Sequence, residues 1–115
     1  METKKKKILV LEDEKPLARA LELKLTHEGF DVKTDSNGEN VISFVEKENF
    51  ALIICDMVMP KFDGFKVLEV LKEHKIKIPV IVLTNLSQPE DEDRVRSLGA
   101  VDFLSKPPQA NAVGH

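Results

Sequence analysis

The chain reads as an α/β domain, a parallel sheet of short strands with helices on both faces. Three features carry that expectation. Short apolar runs at residues 8–11, 51–55, 80–83 and 103–104 recur between segments whose apolar residues have helical spacing. The first three stop at Glu12, Asp56 and Thr84, and the fourth runs through Ser105 to Lys106. Acids are poor interior strand residues, so these positions belong at the carboxyl ends of strands, the edge of a parallel sheet where ligands and chemistry collect. Between the runs lie Gly, Asn and Pro at short intervals, the punctuation of alternating strands and helices.

The first strand is expected over residues 7–11. The helix that follows carries Pro16 in its first turn, where a missing N–H is least harmful. Leu17, Leu21 and Leu25 repeat at four-residue spacing and define one buried stripe. Gly29 ends that helix. Residues 30–34 read as the second strand, and Ser36-Asn37-Gly38 is turn chemistry. A helix over 39–47 is expected to bury Val41, Ile42, Phe44 and Val45. The third strand, 52–55, leads through Asp56 to a helix over 65–74 with Phe65, Leu68 and Leu71 on its inner face. Pro79 opens the fourth strand. The helix over 89–98 has Val95 and Leu98 as its only large apolar residues, beside Glu90, Asp91, Glu92, Asp93, Arg94 and Arg96. So few anchors place it at the low-stability end of the domain. Gly99 suits the position after a helix that needs a left-handed backbone, and residues 102–104 form the fifth strand.

Beyond Lys106 the chain continues as Pro107, Pro108, Gln109, Ala110, Asn111, Ala112, Val113, Gly114 and His115. Two prolines and a few small residues do not make an amphipathic helix of useful length. A fifth helix is therefore expected to be short or absent. Residues 1–115 read as one domain, with a core over 6–107 and an atypical or truncated tail over 108–115.

Composition narrows the function. At 115 residues the chain suffices for a single domain that buries roughly two-thirds of its unfolded surface. Its 32% charged and 42% hydrophobic residues are an ordinary soluble balance. No apolar run approaches the ~20 residues that span a bilayer, and no secretory leader pattern opens the chain. The formal net charge of -3 gives no support for direct nucleic-acid binding. Lys4 to Lys7 read as a solvated lead-in. Cys55 is the only cysteine, so no intrachain disulfide can form and a reducing cytoplasm is the natural setting. It lies inside an apolar run and reads as a small buried hydrophobe. His27, His74 and His115 are isolated and form no metal-ligand cluster with it.

Brought together, Glu12, Asp13 and Asp56 would put like charges in one pocket, where they would repel each other and any incoming phosphoryl group. A divalent cation resolves that conflict, and Mg²⁺ suits it because it takes oxygen ligands and keeps several waters. A lysine ammonium can hold a second phosphoryl oxygen and a threonine hydroxyl can donate to a third. Such a site works by positioning and electrostatic stabilisation, as phosphoryl transfer requires.

With Glu12-Asp13, the run Asp56-Met57-Val58-Met59-Pro60 with Asp63-Gly64, Thr84, Phe103 and Lys106-Pro107 in this order, the chain resembles the receiver domains of two-component response regulators from about Lys6 to Pro107. The resemblance implies a flavodoxin-like, doubly wound (βα)5 fold of sheet order 2-1-3-4-5, which sets the first and third strands side by side. It implies Asp56 as the acceptor of a phosphoryl group from a sensor histidine kinase or phosphotransfer protein. Asp13 is then a direct Mg²⁺ ligand, Glu12 a ligand partly through water, and the Val58 carbonyl a backbone ligand. Thr84 and Lys106 are implied to bind the phosphoryl group, and Phe103 to turn inward when Thr84 moves, altering a face read by a downstream protein. The domain is then a signalling module and not an enzyme, apart from catalysing its own phosphotransfer.

Three departures from the family pattern stand out. Asn85 replaces a small residue beside Thr84 and narrows access to the pocket. Val58 and Leu86 are apolar where side chains flank the water that attacks a phosphoaspartate, so self-dephosphorylation is expected to be slow. Without a fifth helix, apolar surface on strands one, four and five stays wet, which favours a homodimer through that face. Asn85 and the altered tail leave open a receiver-like interaction module that performs no phosphotransfer. A phosphatase of the haloacid-dehalogenase kind needs an aspartate where Val58 stands, and no phosphate loop for a flavin follows the first strand.

Overall fold

The computed structural model describes residues 5–59, 61–84 and 89–105, without the side chains of Thr84, residues 89–91 and Ser105. In chain order the elements are β1 (Lys7–Leu11), α1 (Lys15–His27), β2 (Asp31–Asp35), a 3-10 turn (Gly38–Asn40), α2 (Val41–Lys47), β3 (Phe50–Asp56), α3 (Gly64–Glu73), β4 (Val80–Thr84), α4 (Pro89–Ser97) and β5 (Asp102–Ser105). Every neighbouring strand pair is parallel, and the sheet order is β2-β1-β3-β4-β5. The doubly wound topology is the one the resemblance implies. Residues 106–115, on which the short or absent fifth helix and association through an uncovered face both turn, lie outside the described residues.

Alternate strand residues face opposite layers. Leu9, Leu11, Ile53, Cys55 and Val82 belong to the larger core, with Val41 of α2 and Val67, Leu68 and Leu71 of α3. Ile8, Val10, Ile54 and Leu83 form a smaller core on the other face, against Leu21 and Leu25 of α1. Covering on both faces is why β1 and β3 read as unbroken apolar runs.

Several boundaries and faces differ from expectation. β2 starts at Asp31 and not at Phe30, because the Phe30 N–H donates to Leu25 O (3.0 Å) and so closes the end of α1. β3 extends over Phe50–Asp56, and Asp56 is its last residue. None of the residues of α1 is buried, so the leucine stripe is only half-sunk; α1 is the one described helix packed on the smaller core. Only Val41 is buried in α2, while Ile42, Phe44 and Val45 sit at its margin. In α3 the buried set is Gly64, Val67, Leu68 and Leu71, with Phe65 half-buried beside them. Leu68 and Leu71 are thus on the inner face as expected, and Gly64 and Val67 join them there.

A charge cluster ties the loop before β3 to β1 and β2. Lys7 Nζ lies 3.0 Å from Glu48 Oε1, and Lys33 Nζ 3.6 Å from Glu48 Oε2. The Lys7 hydrogen bond, aided by both lysine charges, outweighs burial and holds the Glu48 carboxyl below the usual glutamate range. Since the folded value is depressed, the stabilisation is complete above the unfolded value and fades as pH falls through the folded one. The difference in thermal midpoint between wild type and Glu48→Gln is expected to be constant above about pH 5.5 and to close in acid below the ordinary glutamate range. A difference independent of pH would remove the charge pair as its cause.

Candidate functional site

The strand register builds the site. Leu11 pairs with Cys55 and Asp56 with Leu83, so the ends of β1, β3 and β4 share one edge of the sheet. Glu12-Asp13 leave that edge from β1, Asp56 ends β3, and Thr84 ends β4. One carboxylate oxygen from each of Glu12, Asp13 and Asp56 lies within 4.8 Å of the others. Glu12 and Asp56 are 2% and 1% exposed, the buried charged residues among those described. The Glu14 N–H donates to Glu12 Oε2 (2.9 Å), and the Val58 N–H donates to Asp56 Oδ1 (3.2 Å). The Glu12 N–H donates to Asp35 O (2.9 Å), which fixes the start of the acidic pair against β2. Like charges this close favour a cation, and three carboxylates are a donor set of hard oxygens that fits Mg²⁺ better than a softer metal.

The loop after Asp56 is held from below. Met57 and Met59 are 2% and 5% exposed and anchor it in the larger core. The Gly64 N–H donates to Met57 O (3.1 Å), bringing the first turn of α3 onto the loop. A Cβ at Gly64 would stand 2.8 Å from both Asp56 O and Met57 Cα. Asp63 caps α3, its Oδ1 accepting from the Lys66 N–H (3.0 Å). Cys55 Sγ donates to Asp56 O (3.3 Å). Burial, and then the charges of Asp56, Glu12 and Asp63, push its thiol far above the ordinary range. Cys55 is thus a packing residue and no nucleophile.

The remaining candidates are placed only in part. The Thr84 backbone pairs with Ser105 at the same edge. Phe103 pairs with Val82 and is half-buried against the larger core. Val58 is 61% exposed beside Asp56. Asn85, Leu86 and Lys106 lie outside the described residues. Sequence reasoning quoted Asp63-Gly64 only as a motif and missed what each does. The Asp63 cap was detectable as an aspartate just before an apolar-periodic helix. The close approach of Gly64 to Asp56 had no such signal.

Comparison with known proteins decides the family. Residues 8–114 match the family model of the response regulator receiver domain. The chain belongs to the response regulator receiver family. This receiver is 40% identical over 107 residues to the probable transcriptional regulator ycf27 of Porphyra purpurea, covering 93% of the chain and 44% of the relative. It is 37% identical over 102 residues to the alkaline phosphatase synthesis transcriptional regulatory protein PhoP of Bacillus subtilis, covering 89% and 42%. The chain thus spans under half the length of these curated relatives. Among solved structures it is similar to the Francisella response regulator 1452 receiver domain, at TM-score 0.84 and 29% identity over 94% of this chain and 89% of that one. Phosphorylation-dependent signalling, rather than metabolic catalysis, is the function of the family. Receiver domains typically bind Mg²⁺ at an acidic pocket, and the Glu12, Asp13 and Asp56 cluster is of that kind. No helix among the described residues is long and apolar enough to cross a membrane.

Proposed function

We propose that Asp56 of this receiver is the phospho-acceptor, served by a sensor histidine kinase or phosphotransfer protein, and that the phosphorylated state is read by a downstream protein partner. The observation that carries the reading is the convergence of three carboxylates within 4.8 Å at the sheet edge, with Asp56 last on its strand. An Asp56 carboxylate oxygen attacks the phosphorus of a phosphohistidine, the P–N bond breaks, and the imidazole leaves with its electron pair. The Val58 N–H orients the Asp56 carboxylate for that attack. Asp13 and Glu12, with the Val58 carbonyl, would hold Mg²⁺, which when bound offsets the negative charge that gathers at the phosphoryl group. Thr84 and Lys106 take the other phosphoryl oxygens. Movement of Thr84 toward them lets Phe103 turn inward, and α4 with β5 forms the face that changes. The whole chain acts as one receiver unit. The relatives are named as transcriptional regulators, but a formal net charge of -3 gives no support for nucleic-acid binding by this domain, and we read its own output as protein contact.

Acetyl phosphate with intact-mass detection tests the reading. Wild type is expected to gain one phosphoryl group only when Mg²⁺ is present, and Asp56→Asn and Asp56→Ala to gain none. A folded wild type that takes up nothing would leave a receiver-like interaction module, and uptake by Asp56→Asn would move the acceptor elsewhere.

A further inference from the structure

α4 has few apolar anchors among its described side chains, and two guanidinium groups add to its hold on the domain. Among its described side chains Val95 is buried at 2% exposure, and Leu98, just past its end, is half-buried. Arg94 places its guanidinium carbon 3.9 Å from the centre of the Phe65 ring on α3. Arg96 does the same over Phe103 of β5 at 4.9 Å. The Arg96 head group makes two further contacts with the chain entering β5. One N–H donates to Val101 O (3.3 Å), and the other nitrogen lies 3.6 Å from Asp102 Oδ1. That same Asp102 oxygen accepts from the Phe103 N–H (2.8 Å). One side chain thus engages the ring of Phe103 and, through Asp102, its backbone.

We propose that Arg96 is a positioning residue that latches Phe103 in its half-buried resting place and so biases the receiver toward its unphosphorylated conformation. The proposal rests on the reading of Phe103 as the aromatic that turns when Asp56 is phosphorylated. Turning the ring inward removes it from beneath the guanidinium, so the contact is made in one state and lost in the other. A contact with that property shifts a two-state balance by its own free energy and by no more. Arg96 is half-exposed, with 50% of its side chain open to solvent, so the shift is modest, about two- to fivefold. Arg94 makes a separate contact, with Phe65 of α3.

Beryllofluoride binding at fixed Mg²⁺, followed by amide resonances of the full chain, provides the test. It stabilises the conformation adopted on phosphorylation, so its half-saturating concentration falls in proportion as that conformation becomes more populated. Arg96→Ala is expected to lower this concentration about two- to fivefold. Resting amide positions in residues 95–105 should move along the line toward their beryllofluoride-bound positions. Arg96→Lys keeps the charge but loses the planar stack and the forked contacts, and should fall between the two. In a Phe103→Leu background, Arg96→Ala should change nothing. An unchanged or raised half-saturation in Arg96→Ala, or equal tightening in the Phe103→Leu background, overturns the latch. If wild type itself gains no phosphoryl mass and binds no beryllofluoride, the acceptor reading fails and the latch with it.

Discussion

Replacing Asp13 by Asn is expected to raise the thermal midpoint in metal-free buffer and to abolish most of the further rise that Mg²⁺ produces in wild type. Without a cation, the Glu12, Asp13 and Asp56 carboxylates lie within 4.8 Å of one another, two of them buried. At that separation and an effective dielectric of about 20, a pair of unit charges repels by about 3 kcal/mol. Asp13 is half-exposed, and screening lowers its share to about 1 kcal/mol. For a domain of this size that corresponds to about 4 °C in thermal midpoint. With metal the sign reverses. A ligand at a hundred times its dissociation constant stabilises the folded state by about 2.7 kcal/mol, so wild type should gain about 10 °C or more. Asp13→Asn lacks one charged ligand and should keep little of that gain. Paired melts in chelator and in excess Mg²⁺ decide the matter. A variant less stable than wild type in chelator, with an undiminished response to Mg²⁺, would show that these carboxylates do not share a cation.

Gly64→Ala is expected to lower stability sharply and to disturb phosphotransfer at the same time. The new methyl group would meet Met57 Sδ at 2.6 Å, and Asp56 O and Met57 Cα at 2.8 Å. Two of these three atoms are backbone, so no side-chain rotation relieves them. Overpacking of this kind costs about 1–3 kcal/mol, or roughly 4–12 °C in midpoint. The displaced atoms belong to the acceptor residue and its neighbour, so the rate of acetyl-phosphate labelling should fall even at temperatures where the variant is fully folded. Gly38 offers the contrast. A Cβ there would collide chiefly with the Val67 side chain, so Gly38→Ala should be eased by Val67→Ala, whereas no truncation of Met57 rescues Gly64→Ala. Chemical denaturation and labelling rates on the same preparations would test both parts. A Gly64→Ala protein of wild-type stability and labelling rate would mean that α3 can retreat from the loop freely.

The strand ends were legible because an apolar run has to stop where the chain leaves the sheet. Glu12, Asp56 and Thr84 each mark such a stop, and Gly29 and Gly99 mark helix ends with backbones at φ 102 and 108. The low apolar content of α4 was equally plain from its residues. Burial was harder to read. Leu17, Leu21 and Leu25 have the spacing of a core stripe, yet how far a stripe sinks depends on what lies across from it, and only α1 covers that face among the described residues. Phe65 and Val67 both fit a helical period. Which of them turned further inward was set by how α3 packs against the larger core.

Local pattern therefore settled which side chains stand at the carboxyl edge, since that depends on where each run ends and on nothing distant. It could not say that Glu12 and Asp13 meet Asp56, because that requires β3 to lie against β1 with Leu11 opposite Cys55. Strand order is a property of the packed sheet, chosen by how the helices cover its two faces. The grip of Arg96 on Phe103 and the fit of Gly64 against Asp56 have the same origin. Both are contacts between separate elements, created only when those elements dock.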